Sequence, residues 1–252
     1  MYPVLFTIPG INYPISTFGI MMALGFLAGY WLTSRRMSEE GLDPEPVTQI
    51  LVWIMLGGVL GSKLYYAIDV SIREGYPFTE LLFARAGITW YGGLMGGTLA
   101  GILACRRYGV SVLGFSNWVA PGLAVGQALG RVGCFLVGDD YGKVSDVPWA
   151  ISFPLGAPPI LDTVHPTQLY EVIWLLPVAA FLWMRRKKSP FLLGEYFALN
   201  GSGRIVIEHW RVNEQVLFGL TEPQIIGVGL VIVGAGLWLY YRGENAGTVA
   251  AP

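Results

Sequence analysis

Residues 15–34 read ISTFGIMMALGFLAGYWLTS, a run with no Asp, Glu, Lys, Arg or His, and Arg35 and Arg36 follow at once. As a helix, a run of this length covers about 30 Å, the thickness of the hydrocarbon layer of a bilayer. Six more runs of similar character follow, at roughly 47–68, 87–105, 111–136, 168–184, 191–210 and 223–241. The expected fold is therefore all-α, a polytopic membrane protein of seven transmembrane helices. Composition points the same way: 54% of the 252 residues are hydrophobic and 13% charged, against about 25% charged in soluble domains. No basic region precedes the first run and no small-residue cleavage site follows it, so it is expected to stay as a span.

Orientation follows from where the bases collect, because short cytoplasmic loops retain Lys and Arg. Arg35, Arg36, Arg106, Arg107, Arg185, Arg186, Lys187, Lys188 and Arg242 all fall on one side of the seven runs. Placing that side in the cytoplasm puts the N-terminus outside, and the expected location is the bacterial cytoplasmic (inner) membrane. The net charge of −1 implies little about partners. The 16 Lys and Arg form no basic patch interleaved with aromatics, which argues against a nucleic-acid ligand. Cys105 and Cys134 are too few for a disulfide scaffold.

Glycines recur within the runs, as Gly92, Gly96, Gly97 and Gly101, then Gly126 and Gly130, then Gly227, Gly229, Gly234 and Gly236. Pairs four apart let helices approach closely. Packing is their default role, although Gly92 and Gly93 stand where a helix mouth would expose backbone to a ligand.

Residues 1–242 are expected to form one transmembrane domain, with external loops at 69–86 and 137–167 and a disordered cytoplasmic tail at 243–252. The stretch 1–14 and the loop with Asp69, Arg73, Glu74, Glu80 and Arg85 suit short interfacial helices or a small cap. The loop 137–167 opens with Gly138-Asp139-Asp140-Tyr141-Gly142, which favours turns or short strands. His165-Pro166-Thr167-Gln168-Leu169-Tyr170-Glu171 then enters the fifth run, with Pro166 placed for a first helical turn.

Charges in or at the outer ends of spans carry the functional signal, because an embedded ionised group must face protein, water or a polar ligand. Arg131 ends the fourth run, and Arg204 and Glu208 share one face of the sixth. Two arginines at one leaflet can hold a lipid phosphate through charge-assisted hydrogen bonds. The same residues also suit an internal ion-pair network, Arg131 with Asp139 and Arg204 with Glu208. Gln168, Tyr170 and Glu171 fit either polar packing or a headgroup pocket. His165 reads as structural, since with His209 as the other histidine no metal-ligand spacing exists.

These segments resemble the prolipoprotein diacylglyceryl transferase family. Ile15 to Tyr30 is similar to its first helix, Trp90-Tyr91-Gly92-Gly93-Leu94 to its third, and Gly130 to Gly142 to its signature region. His165 to Glu171 and Gly201 to Arg211 resemble its later polar and charged motifs. Arg131 matches the signature arginine, Asp139 a usual glutamate, Gly142 the signature glycine, and Arg204, Glu208 and Arg211 the later charged positions. The chain departs at Phe18, where a tyrosine is often found, Tyr91 for a histidine, Cys134 for an asparagine and Asn200 for a tyrosine.

The resemblance implies seven helices around an outward-facing lipid cavity. It implies transfer of diacylglycerol from phosphatidylglycerol to the cysteine thiol of a prolipoprotein signal peptide, forming a thioether and releasing glycerol phosphate. Implied catalytic residues are Arg131, Arg204, Glu208, Asp139 and Tyr91. Implied substrate-binding residues are Arg131, Arg204, Gly92, Gly93, Gly142, His165, Gln168, Tyr170, Glu171, Asn200 and Arg211. No metal and no redox or nucleotide cofactor is implied, and a monomer is the default. A noncatalytic lipid-binding or lipoprotein-handling factor, and less readily a small-solute transporter, are the readings from other classes.

Overall fold

In a computed structural model of the chain, residues 2–10, 12–84, 87 and 89–248 are described. Helices α1 (Thr17–Glu39), α2 (Glu45–Glu74), α4 (Trp90–Arg107), α5 (Val112–Val137), α6 (Thr167–Arg185), α7 (Leu192–Ile207) and α8 (Glu222–Thr248) stand where the seven apolar runs stand. A short helix α3 (Phe78–Phe83) lies between α2 and α4. Among the described residues there are also three antiparallel hairpins: β1 (Val4–Ile8) with β2 (Tyr13–Ser16), β3 (Ile151–Phe153) with β4 (Ile160–Val164), and β5 (Gln215–Leu217) with β6 (Leu220–Thr221).

Among the described residues, five helices are long and apolar enough to cross a membrane: α1, α2, α5, α6 and the Glu222–Gly243 part of α8. Their burial inside the protein is low, from 11% to 39% of each 18-residue window, so their apolar faces need a nonaqueous solvent. This is a membrane protein with an all-α architecture. The other two expected spans are shorter, α4 with 18 residues and α7 with 16, or about 27 and 24 Å of helix.

The chain divides into two compact units, one of residues 33–115 and one of residues 1–32 with 116–252. In the first, α2 and α4 pack backbone to backbone. A methyl group on Gly61 or Gly96 would lie 2.9 Å from the Cα of the other. Gly57 and Gly92 meet the same facing helices with as little room. Ser62 Oγ donates to the Thr89 carbonyl at 2.8 Å and Thr89 Oγ1 to the Ser62 carbonyl at 3.2 Å, pinning the start of α4. The segment expected as loop 69–86 begins as helix: α2 continues to Glu74, helped by an Arg73–Asp69 pair at 2.7 Å, and Gly75 closes it at φ 76°. Lys63 Nζ donates to the Ala84 carbonyl at 2.5 Å. Arg85 and Ala86, which end that loop, lie outside the described residues.

In the second unit, α5, α6 and α7 enclose Ala120, Ala124, Val178, Ala179, Leu182, Leu192 and Tyr196. Small residues again let helices close up, Gly29 against Gly122 and Gly201 against Gly227. Val4–Ile8 and Tyr13–Ser16 form the β1–β2 hairpin where short interfacial helices or a small cap were expected, and Tyr2 N–H donates to the Leu136 carbonyl at the end of α5. The loop 137–167 holds the β3–β4 hairpin and the isolated bridges Gly142 to Arg211 and Val144 to Val164. Helix α8 runs to Thr248, into the segment expected to be a tail, and residues 249–252 lie outside the described residues.

Candidate active site

Four chain segments of the second unit converge where α5 ends, α6 begins and α7 ends. The link from α5 turns at Gly138 (φ 78°) and again at Asp140 (φ 59°), a left-handed conformation that Asp tolerates better than most residues. Thr167 Oγ1 and Gln168 Nε2 at the head of α6 donate to the carbonyls of Asp140 and Asp139, at 2.9 and 2.5 Å. Gly142 N–H donates to the His165 carbonyl at 2.9 Å and Lys143 N–H to the Trp210 carbonyl at 2.8 Å. A methyl group on Gly142 would stand 2.5 Å from the Trp210 carbonyl oxygen and 2.8 Å from Thr167 Cγ2, so only glycine passes here.

The stitched backbone holds three arginines on one carboxylate. Glu171, with 5% of its side chain exposed, receives Arg131 Nε on Oε2 at 2.7 Å. Its Oε1 receives Arg204 Nη1 at 3.0 Å and Arg211 Nη1 at 3.2 Å. Glu208, fully buried, pairs with Arg204 Nη2 at 3.3 Å and Arg211 Nε at 3.7 Å. Glu208 Oε1 also accepts from Asn213 Nδ2 at 2.5 Å and Thr221 Oγ1 at 3.0 Å. Asp140 closes the network on its open side: Oδ2 takes Arg131 Nη1 at 2.6 Å and Oδ1 takes Arg211 Nη2 at 2.9 Å. Three guanidiniums thus face three carboxylates, which is how buried charges are made tolerable.

The Arg204–Glu208 pair expected from helical spacing is present. Arg131 pairs with Asp140 and Glu171, where the spacing pointed to Asp139. The doublet Asp139-Asp140 could not say which carboxylate meets the arginines, because the left-handed turn at Asp140 decides it. Two members of the network were not assigned by sequence reasoning: Asp140 as an ionic partner, and Glu171 as the common acceptor of three arginines.

The two aspartates differ electrically. Burial works against the charge on Asp140, but Arg211 and Arg131 beside it outweigh that and hold its carboxyl below the usual carboxylate range. Burial pushes the Asp139 carboxyl up, opposed by a hydrogen bond from the Cys134 thiol and by Arg131 and Arg211. Among the described residues, the buried Asp139 Oδ1 has no hydrogen-bond partner.

The remaining sequence candidates fall in three places. Tyr170 OH accepts from Trp149 Nε1 at 2.7 Å and pairs with His165 Nδ1 at 2.9 Å, and both rings pack on Trp210. Asn200 Nδ2 donates to Tyr196 OH at 3.4 Å and lines, with Glu171, Trp174, Gly203 and Arg204, a recess of about 10 Å³, room for about one water. Tyr91, Gly92 and Gly93 belong to the other compact unit, in the first turn of α4. There the Tyr91 ring meets Trp90 edge-on at 5.3 Å and Tyr65 at 6.2 Å, and Gly92 is buried against α2.

Comparison with known proteins places this geometry in context. The family model described as prolipoprotein diacylglyceryl transferase matches residues 3–240. Three relatives carry the name phosphatidylglycerol–prolipoprotein diacylglyceryl transferase. The protein of Gloeobacter violaceus is 33% identical over 243 residues, covering 92% of this chain and 90% of the relative. That of Vibrio vulnificus is 33% identical over 258 residues, covering 96% and 93%. That of Clostridium tetani is 34% identical over 241 residues, covering 93% and 95%.

Proposed function

The chain belongs to the prolipoprotein diacylglyceryl transferase family, and from that premise we propose that it moves the diacylglyceryl group of phosphatidylglycerol onto the cysteine thiol of a prolipoprotein. The observation that carries the reading is the convergence of Arg131, Arg204 and Arg211 on Glu171 beside an outward-facing aspartate. Glu171 aims the forks, and the outer N–H groups of Arg131 and Arg211 point where a phosphate would sit.

In the reaction, the thiolate sulfur attacks the glycerol carbon of the diacylglyceryl group. The carbon–oxygen bond to phosphate breaks, a carbon–sulfur bond forms, and glycerol phosphate leaves with the extra negative charge. Guanidiniums fixed before the reaction stabilise that growing charge more than they stabilise the bound diester. Holding the headgroup also lines up the carbon with the sulfur.

The thiol proton needs an acceptor, since the thiolate is the nucleophile. Glu208, fully buried and tied to two arginines, an amide and a hydroxyl, is a poorly placed acceptor. Asp139, whose carboxyl lies above the usual range and outside the ion pairs of the network, is the better one.

The same reading assigns seven spans, with α4 and α7 among them, the N-terminus outside and the arginine network facing the outer leaflet. His165, Gln168, Tyr170 and Gly142 hold the loop under the headgroup, and Asn200 contributes to the wall of the lipid site. The test is transfer from phosphatidylglycerol, by purified protein, to a synthetic lipidation-signal peptide bearing cysteine or serine. Product with cysteine alone is expected. Lipid binding without product from either peptide would replace this reading with that of a noncatalytic lipid-binding factor.

A further inference from the structure

Asp140 differs from the other carboxylates of the network in three ways that belong together. It is 46% exposed, against 5% for Glu171 and 0% for Glu208. Its two oxygens each take a different arginine, Oδ2 from Arg131 and Oδ1 from Arg211, as two phosphate oxygens would. Its backbone is held independently of its carboxylate, because Thr167 Oγ1 donates to its carbonyl. The side chain can therefore turn outward while the loop stays in place. Glu171 and Glu208 cannot leave without stranding an unpaired charge in the interior.

Charge counting then constrains any anionic ligand. Among the ion-paired groups, Arg131, Arg204 and Arg211 balance Glu171, Glu208 and Asp140, so an added phosphodiester monoanion would leave that set one negative charge in excess, and Asp139, which feels both Arg131 and Arg211, adds to the excess when ionised. Turning Asp140 out to water restores the balance for a monoanion. A phosphomonoester dianion, the form in which glycerol phosphate leaves, overcharges the cluster even then.

We propose that Asp140 is an internal counter-anion, occupying the outer N–H groups of Arg131 and Arg211 until a phosphodiester headgroup displaces it, and returning to expel the phosphomonoester product. Asp140 is on this account a positioning and specificity residue, acting through the two arginines. The identity of ligand and product rests on the transferase reading above.

The test compares wild type with Asp140→Asn and Asp140→Glu, full chains in detergent and lipid. Asn keeps the size and tolerates the left-handed backbone. Two measurements are made on equal folded fractions: kcat and donor KM for phosphatidylglycerol, and equilibrium binding of glycerol phosphate and of inorganic phosphate without donor.

Asp140→Asn is expected to lower donor KM and to tighten glycerol phosphate binding, each by roughly 10-fold, the scale of one charge-assisted pair. Its kcat is expected to fall as product release slows, and Asp140→Glu should restore the wild-type split. A residue that merely braces the loop would raise KM, or lower kcat alone. An unchanged or raised donor KM, with unchanged phosphate binding, overturns the proposal. If no preparation transfers lipid to any thiol peptide, the transferase reading fails. The binding arm then decides Asp140 by itself: tighter phosphate in the Asp140→Asn variant supports the counter-anion, and equal or weaker binding rejects it.

Discussion

Replacing Glu171 by glutamine removes one charge and leaves shape almost intact, so the outcome isolates electrostatics. Glu171 Oε2 faces Arg131 Nε at 2.7 Å, and Oε1 faces Arg204 Nη1 at 3.0 Å and Arg211 Nη1 at 3.2 Å. An amide cannot satisfy both sides. With its NH2 at the Oε2 position it confronts Arg131 donor to donor, and flipped it confronts Arg204 and Arg211 together. Removing one partner of a buried ion pair costs about 3–5 kcal/mol, and here three guanidiniums lose their common acceptor. For a chain of this size that corresponds to an apparent melting temperature lower by roughly 6–20 °C. The assay is thermal unfolding of the purified protein in one detergent, followed by tryptophan fluorescence, with initial transfer rate measured well below the midpoint. The expected result is a clear loss of stability together with loss of transfer. A Glu171→Gln protein that melts within about 2 °C of wild type would refute the hub reasoning, because the arginines would then be held by something other than Glu171.

Three further outcomes follow from the same geometry. Arg131→Lys and Arg204→Lys keep the charge but lose the planar fork. Both should insert normally and lose roughly 10-fold or more in turnover, about 1.4 kcal/mol, measured at saturating donor and acceptor. If both retain near-wild-type rates the phosphate-fork mechanism is wrong, and if folding falls in step with activity the network is purely structural. Gly142→Ala, whose methyl would collide with the Trp210 carbonyl and Thr167, should destabilise the protein by about 1–3 kcal/mol, read as a lower unfolding midpoint; an unchanged midpoint would mean that this loop yields easily. Asp139→Asn bears on pH. A carboxyl raised by folding destabilises the folded state above its folded pKa, and that penalty fades as pH falls through the folded value toward the unfolded one, about 3.9. The Asp139→Asn variant should lack this slope in pH-dependent melting, be at least as stable at pH 7, and transfer lipid more slowly without the acid limb of the wild-type rate profile. A wild-type rate profile in the variant would remove Asp139 from the role of base.

Much of the helix layout was legible in the sequence because bilayer thickness prints itself as run length: all seven long helices lie over the expected runs. Their ends were less legible. Helix α2 runs past its apolar stretch through Asp69 and Arg73, whose i,i+4 pair and the left-handed Gly75 extend and then stop it. The N-terminal hairpin was not readable as strands, since Val4–Ile8 and Tyr13–Ser16 are short and pair only with each other. Within the site, Arg204 and Glu208 were legible as partners because they lie one turn apart on one helix. Glu171 was not legible as the hub, because its three arginines come from two other segments, α5 and the stretch 204–211, and their convergence is a property of packing. The choice between Asp139 and Asp140 turned on a single backbone angle, which residue type alone does not specify.

The glycine seam between α2 and α4 has a consequence for how this protein can be altered. Where Gly57, Gly61, Gly92 and Gly96 meet backbone to backbone, no rotamer stands between the helices to absorb a change. The seam acts as a vernier: inserting one residue into α4 within it turns everything beyond by about 100° and replaces glycine with bulk along the contact beyond the insertion. Changes of helix length in that unit are therefore confined to its ends, and the usual remedy of filling space with larger apolar groups prises the pair apart. Tyr91 is adjacent to Gly92 in the same first turn, so its height and azimuth relative to α2 are set by the absence of side chains next to it.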